Sequence, residues 1–339
     1  MGGKTCNISE NYGTISPQRY GNKGVEGLSK EFIRIVTEDT VEMITDDTLR
    51  EMKSHGTADF PFQYYSETFD WKRLESIEWH WHNEIELVHV WDGAIECHIG
   101  EQTICMQKGD ALFINSGVIH QYQAPKGCEQ SKCQCSDLVF SPELVAPSSS
   151  AIYRNYVQPI VTQGQPFLLI QGKEEWESKT LECYQMVQQI CQSEQDLAEL
   201  RIQIGISELW LYLSPQLKKT DTEQQINKHI VTQARLRMMM QFIADHYTER
   251  ISLEDIAGAA NISKSAALRC FRAGMQVSPV GYLNDYRLNR AKELLISSHC
   301  TVSEVALAVG FDNVGYFDRV FKRAFGMTPK QFVKQTIVF

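Results

Sequence analysis

The sequence predicts an α+β protein: an antiparallel β-barrel or jelly roll, then helices, then an all-α C-terminal domain with two helix-turn-helix units. Three observations carry this. From Phe60 to Leu144, short apolar runs such as EIELVHVWDG, ALFINSG and SDLVFSP alternate with turn residues, and Gly93, Gly100, Gly109, Gly117 and Gly127 fall at the corners. After Trp176 the apolar period lengthens to that of a helix. A unit of two short helices then occurs twice. Leu253, Ile256, Ala257 and Asn261 match Val302, Val305, Ala306 and Gly310 at an offset of 49, and Phe271 and Pro279 match Phe321 and Pro329 at an offset of 50.

Composition sets the outer bounds. A chain of 339 residues, 43% hydrophobic, can bury two or three cores. No run approaches the ~20 apolar residues of a membrane span. The start, MGGKTCNISENYG, has no apolar signal core and only loosely resembles a myristoylation site, so the expected location is cytoplasmic. Ten cysteines are scattered without paired CxxC modules, and no disulfide framework is expected. Cys128, Cys133 and Cys135 form the one tight cluster; it reads as a loop with incidental thiols, with a zinc site or thiol sensor as the alternative. The net charge of −9 is unevenly spread. From Ile230 onward there are 14 Lys+Arg against 9 Asp+Glu, a balance of +5, which leaves −14 on the rest. Contact with nucleic acid is therefore expected in the last third.

Residues 1–59 show no strong periodicity beyond short strand-like runs at Phe32–Val36 and Val41–Ile44, and they read as an extension without an assigned role. Residues 60–170 form the predicted barrel. His80 and His82 alternate along one strand and so share a face, Glu86 keeps their parity, and His120 follows after Gly109, Asp110 and Gly117. The pattern H-x-H-x3-E-x6-G, then G-x5-N-x-G-x2-H, resembles the two signature motifs of the cupin superfamily. Asn115 stands at the usual proline and Ala124 at the usual asparagine. That resemblance implies that His80, His82, Glu86 and His120 hold a divalent metal, and imidazoles with a carboxylate suit Fe, Mn, Ni or Zn. Two other readings stand beside the metal: a polar pocket for a small organic ligand, and a core network with no ligand. No other cofactor is expected.

Residues 171–214 hold two helical segments, Trp176–Ser193 and Leu197–Leu213. The second is apolar almost all round at Leu200, Ile202, Ile204, Ile206, Leu209, Trp210 and Leu213. Such a helix needs cover on several sides, and a dimer contact is expected. Residues 215–229, polar and proline-marked, read as an interdomain linker.

Residues 230–337 form the basic domain, with helix-turn-helix units at 251–272 and 301–323. In the second unit Val302, Val305, Ala306 and Val309 make one apolar stripe, Gly310 ends the helix, and Asp312 is the expected cap of the next. That next helix sets Val314, Phe317, Val320, Phe321 and Ala324 against Gly315, Arg319 and Lys322. In the first unit Ser263 caps the second helix, with Leu268 and Phe271 expected inward and Ser265 and Arg269 outward. A long helix, Pro279 to about Ser297, carries a stripe that can pack on both units. Two readers tied by one rigid helix can enter successive major grooves about one helical turn, ~34 Å, apart.

The run ISLEDIA, YLNDYRLNRAKELL, TVSEVALAVGF and YFDRVFKRAFGMTPKQF resembles the AraC/XylS family of bacterial transcription regulators over about Val231–Gln335. HWHNEIELVHVWDG and GDALFINSGVIH resemble the cupin-type sensor domain often fused to it. The resemblance implies a dimeric, ligand-responsive activator. Its partners would be double-stranded promoter DNA, RNA polymerase, and a sugar or other small metabolite as effector, with no membrane. Carried over by position, the DNA contacts are Ser263, Lys264, Ser265, Arg269 and Arg272 in the first reader. In the second they are Asn313, Gly315, Tyr316, Arg319, Lys322 and Arg323. Arginine suits guanine edges or phosphates and asparagine suits adenine. The chain is expected not to be an enzyme; the competing reading is a metal-dependent cupin enzyme, an isomerase or dioxygenase, fused to a DNA module. Where the second unit has Gly326 the first has Gln276, which is expected to end its helix less cleanly.

Overall fold

Strand alternation decides which side each β residue takes. The computed structural model describes residues 33–36, 44–72, 74, 76–126, 132–193, 196–218, 223–297 and 300–336. Its strands are β1 (Ile33–Val36), β2 (Phe62–Asp70), β3 (Ser76–His80), β4 (Ile85–Asp92) and β5 (Ala94–Ile99). They continue with β6 (Gln102–Gln107), β7 (Ala111–Ile114), β8 (His120–Gln123), β9 (Lys132–Phe140) and β10 (Phe167–Ile170). The predicted barrel is not one closed ladder among the described residues. It is a six-stranded sheet, β1-β2-β9-β4-β7-β10, against a four-stranded sheet, β3-β8-β5-β6. Side-chain packing between the sheets, rather than a continuous ladder, holds them together. Among the described strands the pairings are antiparallel except β1 with β2, which is parallel; Arg50 and Trp81 add an isolated parallel bridge.

The two faces of the larger sheet have different jobs. Phe62, Tyr64, Ile85, Leu87, Leu138 and Phe140 belong to a core shared with the helices that follow. Phe69, Val88, Val90, Cys133 and Cys135 face the smaller sheet, where Ile77, Ile95, Cys97 and Tyr122 meet them. The thiols expected in a loop therefore lie on a strand: Cys133 and Cys135 are buried on β9, which pairs on both sides with β2 and β4. Cys6, Gly127, Cys128 and Val41 lie outside the described residues.

The helices are α1 (Gln158–Gln163), α2 (Glu175–Gln192), α3 (Ala198–Leu217) and α4 (Glu223–His246). Glu174 starts α2 with a capping box to Glu177. α3 buries Ile202, Ile206, Leu209, Trp210 and Leu213 against α2 and the sheet. Its other side leaves Leu200, Ile204 and Leu211 exposed. The stretch 215–229 read as a linker is largely helical: α3 continues through Pro215 to Leu217, and α4 begins at Glu223.

The rest is helical: α5 (Leu253–Ala259), α6 (Lys264–Met275), α7 (Pro279–Ser297), α8 (Val302–Ala308), α9 (Val314–Phe325) and α10 (Pro329–Thr336). α7 packs on both repeats, as its stripe predicts. Tyr282 and Leu283 join the core of the first, and Leu288, Ala291 and Leu295 that of the second.

Candidate functional site

The repeat is built twice with the same local devices. Ser252 and Asp255 form a capping box at α5, and Thr301 and Glu304 form one at α8. The turn that follows needs a left-handed residue: Asn261 at φ 53° in the first unit, Gly310 at φ 85° in the second. Ser263 then caps α6 by accepting from the Ala266 N–H at 3.3 Å. Asn313, not Asp312, caps α9, accepting from the Tyr316 N–H at 2.9 Å. The carboxamide of Asn suits this because its oxygen reaches the third N–H of the helix. Phe271 and Phe321 are fully buried at equivalent positions.

All the residues expected to contact DNA are exposed on α6 and α9 or at their caps. They differ in their surroundings. Lys264 is paired with Glu254 at 3.0 Å. The Arg319 guanidinium carbon lies 5.9 Å from the centroid of the Tyr316 ring, whose hydroxyl accepts from Asn284 at 3.3 Å. Two inward assignments fail. Leu268 is 42% exposed and Ala324 is exposed, because Ala267, Cys270 and Phe271 in α6, and Phe317, Val320 and Phe321 in α9, already fill the buried arc. Gln276 does take the left-handed conformation, at φ 57°. Its side chain donates to the Gly100 carbonyl at 2.9 Å, a contact that a glycine could not make.

In the sheet region, His80, His82, Glu86 and His120 converge, with one ligand atom from each lying within 4.8 Å of the others. Each imidazole is fixed through Nδ1. His80 donates to the Glu78 carbonyl at 2.8 Å, His82 to Glu84 at 3.2 Å and His120 to Val118 at 2.9 Å. The Nε2 lone pairs are then left to face the centre. Nε2 of His82 and of His120 stand 3.0 and 3.1 Å from the same Glu86 oxygen. Acceptors so close require positive charge between them, either protons on the rings or a divalent cation. The donor set thus fits a divalent metal ion. Tyr122 donates to the other Glu86 oxygen at 2.8 Å. Burial alone would raise the Glu86 carboxyl, yet His120 and His82 hold it well below the usual range. Burial, aided by His120, lowers His80 to about 3. His89, of opposite parity, faces Trp91 and Tyr184 instead.

The cavity in front of this cluster measures ≈ 60 Å³. The larger sheet, which carries Glu86, also lines it with Tyr65, Glu67 and Asp137. Burial pushes Glu67 up to about 7 and Asp137 well above its usual value. These residues lie on β2 and β9, remote in sequence from the histidines; the one signal was charge inside buried strands. A segment to which the sequence assigned no role closes the cavity with Glu51, Lys53 and His55. His55 bridges Glu51 and the Tyr65 hydroxyl, both at 3.0 Å.

Residues 256–335 match the family described as a helix-turn-helix domain, and residues 71–129 match the cupin domain family. The HTH-type transcriptional regulator YdeC of Bacillus subtilis (strain 168) is 32% identical over 294 residues, covering 86% of this chain and 98% of that protein. The chain belongs to the AraC/XylS family of transcription regulators. Also similar are the melibiose operon regulatory protein of Escherichia coli (strain K12) and the activator RhaS of Escherichia fergusonii. The first is 23% identical over 75% of this chain and 83% of that protein. The second is 33% identical over 30% of this chain and 36% of that protein.

In this AraC/XylS chain the histidine cluster and the first DNA unit share structure. Trp81, between the two histidines, and Ile119, beside His120, belong to the same buried cluster as Leu236, Met239, Met240 and Ile243 of α4. The Arg237 guanidinium carbon sits 3.9 Å from the Trp81 ring centroid, and its Nη2 donates to the Gly117 carbonyl. The segment that closes the cavity also reaches the DNA-binding half: Asp47 accepts from Tyr286 at 2.6 Å and pairs with Arg290, both on α7.

Proposed function

We propose that this regulator binds operator DNA through α6 and α9, and that occupancy of the histidine pocket biases how it binds. The observation that carries this is the alternation around Trp81: His80 and His82 face the cavity while Trp81 lies in the core of the first DNA unit. A ligand that reorients the histidines acts on the strand that seats α4. Such a ligand shifts the equilibrium only by its difference in affinity for the two arrangements.

His80, His82, Glu86 and His120 are the residues that would hold a divalent metal. A bound ion would supply the positive charge that the converging imidazoles and carboxylate call for. The cavity, with ≈ 60 Å³ open to water against the roughly 10–15 Å³ that one water needs on this measure, supports an ion with a few waters or a small polar molecule. A sugar is the effector suggested by the relative that regulates a melibiose operon, and Glu51, His55 and Glu67 would offer its hydroxyls polar partners. The same donor set would serve a metal-dependent cupin enzyme. We read the chain as non-enzymatic because its relatives are transcription regulators.

We take the protein to be an activator that works with RNA polymerase in the cytoplasm, as a homodimer. The name of RhaS supports activation. Leu197, Leu200, Ile204 and Leu211, exposed at spacings of three, four and seven on and before α3, support the dimer.

Selection of an operator from random duplexes, followed by titration at fixed salt, tests the DNA reading. Arg319→Ala should cost more specific affinity than Arg269→Ala, about tenfold against a few-fold, if Arg319 makes a base contact. Failure to enrich any sequence would overturn the reading, and the reverse order would overturn the ranking.

A further inference from the structure

The larger sheet, beside Glu86, carries donors that the reading above does not use. Antiparallel pairing sets Glu67 of β2 directly across from Cys135 of β9. Asp137 lies two residues along β9 and therefore on the same face. One ligand atom from each of the three lies within 4.8 Å of the other two.

Two features separate this group from an ordinary polar cluster. Asp137 is 8% exposed and its Oδ1 is buried without a hydrogen-bond partner. A carboxylate oxygen desolvated in this way costs stability until something donates to it or coordinates it. The second feature is chemical. A buried thiol, 2% exposed, stands beside one buried carboxyl, Asp137, and one half-buried, Glu67. Among the described residues lining the cavity, Lys53 is the one permanently charged cation, and its Nζ lies 4.1 Å from the centroid of the Tyr65 ring. Burial raises both carboxyls, and the Cys133 hydrogen bond with burial raises the Cys135 thiol. Protons held by these groups are thus what an entering cation would displace. Glu67 and Asp137 line the same cavity as the histidines, so an ion that enters it meets both carboxyls.

We propose that Glu67, Cys135 and Asp137 form a second divalent-cation site, distinct from the histidine cluster, that takes a thiophilic borderline ion of the Zn²⁺ or Co²⁺ kind. A thiolate favours these ions over Mg²⁺ or Ca²⁺, and two carboxylates balance their charge. Binding releases the Cys135 thiol proton and whatever protons the carboxyl pair holds, so affinity rises with pH.

The test uses the full chain without a His-tag, stripped by chelator and titrated with Co²⁺ alone. Metal content and near-ultraviolet absorption are followed together. Two Co²⁺ per chain are expected, with a thiolate-to-cobalt charge-transfer band that the nitrogen and oxygen donors of the histidine site cannot produce. Cys135→Ser should abolish the band and leave one Co²⁺, whereas His80→Ala should leave one Co²⁺ and keep the band. Asp137→Asn and Glu67→Gln, which preserve shape, should weaken the band-forming event at least about tenfold. Absence of the band in the wild-type chain overturns the site, as does a band of full strength in Cys135→Ser. If Cys135→Ser does not fold by circular dichroism, the carboxamide variants decide, and unchanged titrations in both overturn it. Loss of Co²⁺ binding at the histidines alone would count against the ion reading of that pocket and leave this site standing.

Discussion

Glu67 is a single residue whose burial has a measurable consequence. Burial, with Glu86 adding to it and Lys53 opposing, lifts its carboxyl from the ordinary 4.5 to about 7. Between those values the folded chain keeps a proton that the unfolded chain has lost. Stability therefore falls as pH rises through that window and levels off above it. In chelated protein, the melting temperature of the wild type should decline from about pH 5 to about pH 8 more steeply than that of Glu67→Gln, which carries no titrating proton there. Parallel curves for the two would show that Glu67 ionises normally. At this scale the sequence was informative only locally. His80, His82 and Glu86 lie within seven residues, so closeness in sequence could group them, although Glu86 stands on β4 in the other sheet from β3 and its shared parity is not that of one strand; His120 entered through motif resemblance. Glu67 and Asp137 reach the same cavity through β2 and β9, and no local period links them to the histidines. Trp81 was legible in principle: on a strand, the residue between two pocket-facing neighbours must face the other way.

The two copies of the reader show what an element demands of one position. Gly310 has φ 85°, and a Cβ there would collide with the Tyr247 carbonyl and approach Arg287 Nη2 at 2.9 Å. Arg287 is itself committed to the Tyr247 and Glu249 carbonyls, both at 2.7 Å, so it cannot easily yield. Gly310→Ala should cost about 2–4 kcal/mol, combining a left-handed penalty of ~1–2 kcal/mol with overpacking of a similar size. Gly326 has φ 71° but nothing within 4 Å, and Gly326→Ala should cost about 1 kcal/mol. Urea unfolding of the two variants side by side checks this, and equal midpoints would refute the steric part. The first copy meets the same needs differently. Asn261 tolerates the left-handed region, and Gln276 offsets its strain by holding the Gly100 carbonyl. The repeat itself was readable because residue types recur at fixed spacing. The cap at Asn313 and the exposure of Leu268 were not, since helix starts and narrow faces depend on packing that spacing alone leaves undetermined.

At the scale of the whole molecule, the acidic and basic halves were visible as charge, but their junction was not. It rests on a shared apolar cluster and on contacts between residues remote in sequence. Arg237 of α4 lies across Trp81 and donates to the Gly117 carbonyl, and Ala273 of α6 approaches Gly100 so closely that no side chain fits there. The Trp81 backbone in turn bonds Leu49 and Glu51, one on each side, at 3.0 and 2.9 Å. Arg237 is thus the polar contact by which α4 grips the strand that presents His80 and His82, beside the apolar packing of Leu236, Met239 and Met240. It lies outside the cavity lining and outside both readers. Arg237→Ala should leave metal stoichiometry unchanged and leave DNA bound, while removing the dependence of one on the other. The measurement is operator affinity with and without chelator at fixed salt. For the wild type the two affinities should differ by about 5–150-fold, the usual span of a coupling free energy, and for Arg237→Ala by about twofold or less. An undiminished ratio in the variant would mean that the signal travels another way, and the Asp47 contact with Tyr286 and Arg290 would then be the route to break next.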